Sequence, residues 1–216
     1  RILSWADKNP DTILRVGTGE VGDSLLFEPL FCLSEEFINA FAPNTSIFFE
    51  LKTKTDYVDH LLHIPHKGNT VIGFSLNPSG IIEKEEPYAA SLFQRIEAAC
   101  KAEEAGYLIA FHFDPIIRFP GWEKAYSEVI QAMESIPESK IPWISLGTFR
   151  YTPKLRDKIE DRWFLYEEFV PCRDKKYRYI QRVRKNIYHT IVAGIRNIFP
   201  RVPLYMCMES PVMWDY

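Results

Sequence analysis

The sequence predicts an α/β fold built on an open parallel sheet that curves like part of a barrel, and three observations carry that expectation. First, five β-like stretches alternate with helix-like ones, the order that gives parallel strands joined by right-handed crossovers. Second, the strands are two-faced. In residues 46–54, Ile47, Phe49 and Leu51 form an apolar side, and Glu50, Lys52 and Lys54 lie on the other. In residues 70–77, Ile72, Phe74 and Leu76 oppose Gly73, Ser75 and Asn77; in residues 107–114, Tyr107, Ile109, Phe111 and Phe113 oppose Leu108, Ala110, His112 and Asp114. Side chains alternate faces along a strand, so the apolar side is expected under helices and the polar side in a shared interior. Third, the polar residues gather toward the C-terminal strand ends, where α/β sheets and barrels hold ligands. Lys54, Ser75 and Asp114 are therefore expected to face one cavity.

The elements follow in order. A strand over 13–18 precedes a helix near 24–41, with Leu25, Leu26, Leu30 and Leu33 available for burial. The strand over 46–54 leads to a short helix at 58–63. The strand over 70–77 turns at Pro78–Gly80 into a helix near 87–105, whose expected buried stripe is Ala89, Leu92, Phe93, Ile96, Ala99 and Cys100. Gly106 then ends that helix, as a C-terminal glycine does. The strand over 107–114 is followed by a helix near 121–135, and the strand over 143–149 by one at 153–161. After about Trp163 the pattern changes. An aromatic, acidic stretch gives way to a basic one, then to a long helix near 179–199 with Ile180, Val183, Ile187, Ile191, Ile195 and Ile198 on one face. Pro200 and Pro203 stop it, and residues 204–208 read as a final strand. The expected division is a barrel-like part at 1–162 and a C-terminal helical extension at 163–216.

Composition fits an ordinary soluble globular protein: 216 residues, 46% hydrophobic and 25% charged. No apolar run approaches the roughly 20 residues needed to cross a bilayer, so no membrane role is expected, and no leader-like start is seen. Cys32, Cys100, Cys172 and Cys207 are too dispersed for a close-spaced metal pattern or a disulfide framework. They read as reduced thiols of a cytoplasmic protein. Arg1 to Asp11 reads like an interior segment, which suggests part of a longer chain. The net charge of −3 hides an asymmetry: between Arg173 and Lys185 seven basic residues stand against Asp174 alone. Such a run is either a nucleic-acid or phosphate footprint or a solvated helix start.

Four groups carry potential chemistry. Gly17-Thr18-Gly19-Glu20 ends the first strand, where glycines let backbone approach a ligand and a carboxylate can hold an ammonium group. Glu50 and Lys52 need partners on an interior face; Arg15 on the neighbouring strand is one, a ligand another. Lys54, at the strand end, is expected to meet a ligand. Ser75, Asn77, His112 and Asp114 add hydrogen-bonding groups at that level. One histidine does not make a histidine metal site, and neither a Gly-x-Ser-x-Gly elbow nor a Gly-x-x-x-x-Gly-Lys phosphate loop is present.

The ordered strings Arg15-Val-Gly-Thr-Gly-Glu20-Val-Gly-Asp-Ser-Leu25, Glu50-Leu-Lys-Thr-Lys54, Val58-Asp-His-Leu-Leu62, Phe74-Ser-Leu-Asn-Pro78, Phe111-His-Phe-Asp-Pro-Ile116 and Gly121-Trp122 together resemble the spore photoproduct lyase family of radical S-adenosylmethionine proteins. The resemblance implies a partial (β/α)6 barrel, S-adenosylmethionine, a [4Fe–4S] cluster and a flavodoxin- or ferredoxin-type reductant. The strands seen here would be the second to the sixth, with the first strand and the cluster cysteines upstream of Arg1. It assigns cofactor contacts to Lys54 and Ser75 and places Asp114 by the adenosyl moiety. Gly17, Gly19 and Glu20 resemble the Gly-Gly-Glu string that holds the cofactor's amino group in many such enzymes. Glu20 also falls where the lyase has its hydrogen-donating cysteine, a role glutamate cannot fill. Asn77, His112, Arg150, Tyr177, Arg178 and Tyr179 are expected to face a DNA or nucleotide substrate. The Gly-Arg-Tyr lesion wedge of the lyase is absent from residues 171–179, which leaves a non-catalytic nucleic-acid-binding relative as the alternative reading.

Overall fold

The sheet is buried on both faces at its centre in the computed structural model, which describes residues 1–19, 22–156, 158 and 162–214. After a first helix, α1 (Ile2–Lys8), come β1 (Leu14–Thr18), the short helices α2 (Glu28–Phe31) and α3 (Leu33–Phe41), and β2 (Ile47–Thr53). A 3-10 turn at Asp59–His63 leads to β3 (Thr70–Ser75), α4 (Ser79–Glu85), α5 (Leu92–Glu104), β4 (Leu108–Ile116), α6 (Trp122–Ala132) and β5 (Ile144–Thr148). These five strands pair in parallel in sequence order. The expected apolar sides are buried: Ile47, Phe49 and Leu51 of β2, Ile72 and Phe74 of β3, and Ile109, Phe111 and Phe113 of β4. Helices α3, α5 and α8 (Gln181–Ile198) pack on the sheet, so the other side faces the interior.

The rest of the chain does two things. β6 (Arg150–Tyr151), β7 (Phe169–Pro171) and β8 (Tyr177–Tyr179) form a small antiparallel sheet in the order β6-β8-β7, with α7 (Pro153–Arg156) between β6 and β7. Then α8 buries Val183, Ile187, Ile191 and Ile195. It returns the chain to β9 (Leu204–Met206), the sixth strand of the main sheet, parallel to β5. A last short helix, α9 (Pro211–Trp214), follows. The six-strand half-barrel thus draws its final strand from beyond residue 163. Residues 177–179 are strand, so the long helix begins at Gln181.

Two helices differ from expectation. Residues 24–41 do not make one helix. The backbone turns left-handed at Cys32 (φ 48°), and the buried Glu28 carboxylate accepts hydrogen bonds from Ser34 N and Oγ at 3.2 and 2.7 Å. The break rotates the leucines outward: Leu25 is buried, whereas Leu26, Leu30 and Leu33 are exposed. The helix expected over 87–105 starts at Leu92, because Ser91 and Gln94 form a reciprocal capping box there. Its buried side is Arg95, Ala98, Ala99 and Ala102, and Phe93 is exposed. Gly106 does adopt a positive φ (97°) behind the helix.

Candidate functional site

Deep in the interior lies a polar network centred on Glu50. Arg15 of the neighbouring strand donates to its carboxylate from Nη2 at 2.7 Å and from Nε at 3.2 Å. The other oxygen accepts from Trp143 Nε1 at 3.0 Å and lies 2.8 Å from His112 Nε2. His112 Nδ1 lies 2.6 Å from Ser145 Oγ. Burial opposes the charge of Glu50, but His112 and Arg15 outweigh it and hold the carboxyl at about 2. Burial pushes His112 below its ordinary value. The consistent assignment is a neutral ring that donates Nε2–H to Glu50 and accepts the Ser145 hydroxyl proton at Nδ1. Gly73 makes the room: a Cβ there would stand 2.7 Å from His112 Nε2 and 2.9 Å from Glu50 Oε1. Of the two readings of Glu50, the structure supports the internal partner.

A second network lies above Ser75. Glu86 pairs with Lys54, accepts from Arg95 Nη2 at 2.6 Å and accepts from Asn77 Nδ2 at 3.0 Å. Arg95 is fully buried and also donates to the Ser75 carbonyl at 2.7 Å. Burial again opposes the Glu86 charge, and Lys54 and Arg95 overcome it, lowering the pKa. Asn77 accepts from Tyr126 Oη at 2.9 Å. Lys54, expected to meet a ligand, therefore has Glu86 as a partner already. Neither Glu86 nor Arg95 was marked by strand parity, because both come from the loop and helix after β3.

At the C-terminal edge of the sheet these elements open into a cavity of about 300 Å³ lined by Gly19, Gly22, Asp23, Lys52, Thr53, Lys54, Ser75 and Asp114. Lys54, Ser75 and Asp114 share it, as parity requires. Asp23 shapes its floor, accepting from Thr53 Oγ1 at 2.7 Å, Leu25 N at 2.9 Å and Lys54 N at 2.6 Å. Gly19 has φ 88°, and a Cβ on it would meet the Lys52 carbonyl and Ser24 Oγ at 2.8 Å, so only glycine fits this turn. Gly17 lies lower, with its nearest neighbour atoms on Glu50. Glu20 falls outside the described residues.

A second cavity adjoins the first and shares Lys52 and Asp114 with it; Arg150, Tyr151, Thr152, Lys176 and Met208 are among its other walls. Arg150 clasps Asp114 at 2.7 and 3.3 Å. The remaining expected substrate residues are committed within the protein. His112 and Asn77 are buried in the two networks and line neither cavity. Arg178 is buried and bound to Asp174 at 2.7 and 2.8 Å and to the Met208 carbonyl. Tyr179 is buried, stacked on Phe169, and accepts from Arg118 N at 3.1 Å. Tyr177 is half-buried and stacks on Tyr151 with ring centroids 5.3 Å apart. The reason is the β7–β8 hairpin, which turns both faces of residues 177–179 into contacts. Arg178 and Tyr179, expected to face a substrate, are thus placed in internal contacts.

The donor set suits S-adenosylmethionine and not a cluster. The first cavity offers an ammonium, a hydroxyl, carboxylates and close backbone approach to a zwitterionic amino acid and a ribose. For a [4Fe–4S] cluster, thiolates must be gathered at one site. Among the described residues no three His, Cys, Asp or Glu side chains are so placed, and the four cysteines lie on different elements.

A half-barrel with a polar cavity at its C-terminal rim is the architecture of the radical S-adenosylmethionine proteins. The family model described as spore photoproduct lyase matches residues 7–205, and this chain belongs to that family. It is 36% identical over 115 residues to a spore photoproduct lyase of Geobacillus sp. (strain Y412MC61), covering 51% of this chain and 33% of the relative. It is 40% identical over 83 residues to the Bacillus subtilis (strain 168) lyase, covering 38% and 24%. The chain thus matches about a third or less of the length of these two relatives. A solved mutant spore photoproduct lyase with bound AdoMet and dinucleoside spore photoproduct superposes with a TM-score of 0.85 at 25% identity, over 95% of this chain and 65% of that one. Among the described residues, no helix is long and apolar enough to cross a membrane.

Proposed function

We propose that this chain is the S-adenosylmethionine-binding and substrate-facing part of a spore-photoproduct-lyase-like radical enzyme acting on DNA or a nucleotide. The observation that supports this most is the convergence of Gly19, Lys54, Ser75 and Asp114 on one cavity at the sheet's C-terminal rim. In the whole protein, S-adenosylmethionine and a [4Fe–4S] cluster would together supply radical chemistry, with a flavodoxin- or ferredoxin-type donor as reductant. This chain's part is binding and orientation. Lys54 offers its ammonium to a carboxylate or ribose oxygen, with Glu86, itself bound by Arg95, holding it in place from behind. Ser75 offers a hydroxyl, and the Gly19 turn brings backbone within reach. Glu20 follows that turn and is assigned the cofactor's ammonium.

Calorimetry on the full-length protein tests this. Glu20→Gln and Lys54→Ala are each expected to weaken S-adenosylmethionine binding by about 1.5–3 kcal/mol, the worth of a charge-assisted hydrogen bond. Unchanged affinity in both variants removes the assignments.

A further inference from the structure

We infer that the second cavity binds a phosphate group of a nucleic-acid strand through Lys52 and Lys176. The inference deepens the proposed function by naming the anion the substrate carries. Its basis is a charge imbalance. The cavity wall holds three cationic side chains, Lys52, Arg150 and Lys176, against one carboxylate, Asp114. Asp114 is bound by Arg150, so that pair is neutral. Cys207 follows β9 near Asp114; burial and the Asp114 carboxylate push its thiol up to about 11, so it adds no negative charge at neutral pH. Lys52 and Lys176 remain. Both are half-buried, and among the described residues neither has a carboxylate within ion-pair distance. The Lys176 ammonium has the Met208 sulfur at 4.0 Å, a weak acceptor, and the charge of Asp174, which also acts on it, is already clasped by Arg178.

Two half-buried ammonium groups with no direct carboxylate partner, facing one space, make a cationic pair that attracts an anion. Their source elements show a built arrangement. Lys52 projects from the interior face of β2. Lys176 comes from the start of the β8 arm, some 120 residues later in the chain, and meets the same space. Phe149, Tyr151 and Leu155 give that space apolar walls, and Thr152 lines it too. Apolar walls with a cationic pair suit a nucleotide unit better than a free inorganic anion. Lys52 and Asp114 also line the first cavity. A phosphate on Lys52 would thus sit directly beside the group bound to Lys54 and Ser75. The exposed basic residues Arg173 and Lys175 lie outside both cavities.

The test measures binding of the full-length protein to a thymidine dinucleotide with a natural phosphodiester and to the same dinucleotide with a neutral methylphosphonate link. The natural compound should bind more tightly. Lys52→Gln and Lys176→Gln should each weaken it about tenfold or more, with no effect on the neutral analogue, and Lys175→Gln should change nothing. Each active variant should also lower the salt slope for a short single strand by about 0.7. Equal affinity for the two dinucleotides, or full affinity in Lys176→Gln, overturns the inference; the latter holds even if Lys52→Gln misfolds. S-adenosylmethionine affinity measured on the same samples separates the readings. Its loss in Lys54→Ala with intact phosphate discrimination supports both, and phosphate discrimination without any S-adenosylmethionine binding sinks the proposed function while leaving the anion site standing.

Discussion

Glu50 shows what a charge needs in order to live inside a half-barrel. It is 5% exposed, yet four N–H groups of Arg15, His112 and Trp143 converge on it. Its carboxyl has a folded pKa of about 2 against an ordinary 4.5. A depressed carboxyl favours folding above its unfolded pKa, and that contribution fades as pH falls toward the folded value. His112, held neutral by burial, acts in the same direction, since the unfolded chain takes up its proton first on acidification. Urea unfolding should therefore show stability falling from about pH 6 to pH 2, and Glu50→Gln should flatten the part below pH 5. A Gln variant with an unchanged acid profile would show that other carboxylates govern it. Parity along β2 marked Glu50 as interior, and Arg15 as its partner was legible from strand adjacency. His112, Trp143 and Ser145 were not, because their approach depends on strand register and on the room left by Gly73. At Arg178 and Tyr179 the sequence offers a basic, aromatic string, and hairpin pairing, which it does not display, turns both residues inward.

At the scale of elements, turns and caps decide more than propensity. The Gly19 turn joins β1 to the cavity floor, with a backbone angle and a clearance that no other residue tolerates. Gly19→Ala should destabilise the protein by about 1–3 kcal/mol through strain in the left-handed region. It should also impair S-adenosylmethionine binding more than a surface change of equal stability cost. A matched melting and binding series would expose the difference, and parallel losses would mean that the turn is only structural. The sheet-forming strands were legible because alternation of apolar and polar residues is a local signal of period two. The break at Cys32 was not, since it depends on Glu28 folding back to Ser34, a contact that a helical stripe of leucines conceals. Likewise the capping box at Ser91 and Gln94 moved the start of α5 past four residues that carry apolar side chains.

Over the whole molecule, the main sheet has β1 and β9 as its outer strands, and a side-chain tie spans them. Arg15 on β1 donates to Tyr205 Oη on β9 at 2.7 Å, across 190 residues of chain, and lies over both the Trp143 and Tyr205 rings. Tyr205→Phe should cost about 1 kcal/mol, and hydrogen exchange of β1 and β9 amides should speed up while β3 and β4 stay protected. Equal protection in the variant would show that backbone pairing alone fixes the curvature. That the tail supplies β9 was only faintly legible: three residues of strand after a proline-ended helix reveal their partner only once the crossover is built. The tie has a mechanical side. Arg15 stands level with Phe48 of β2, and Lys52 is four residues further along, about 13 Å nearer the rim. Any slackening at this crossbar would therefore be magnified toward the rim as along the arms of a pair of tongs, with β1 and β9 as the arms, while Lys54 and Asp114 stay bound to each other through the paired backbones of β2, β3 and β4.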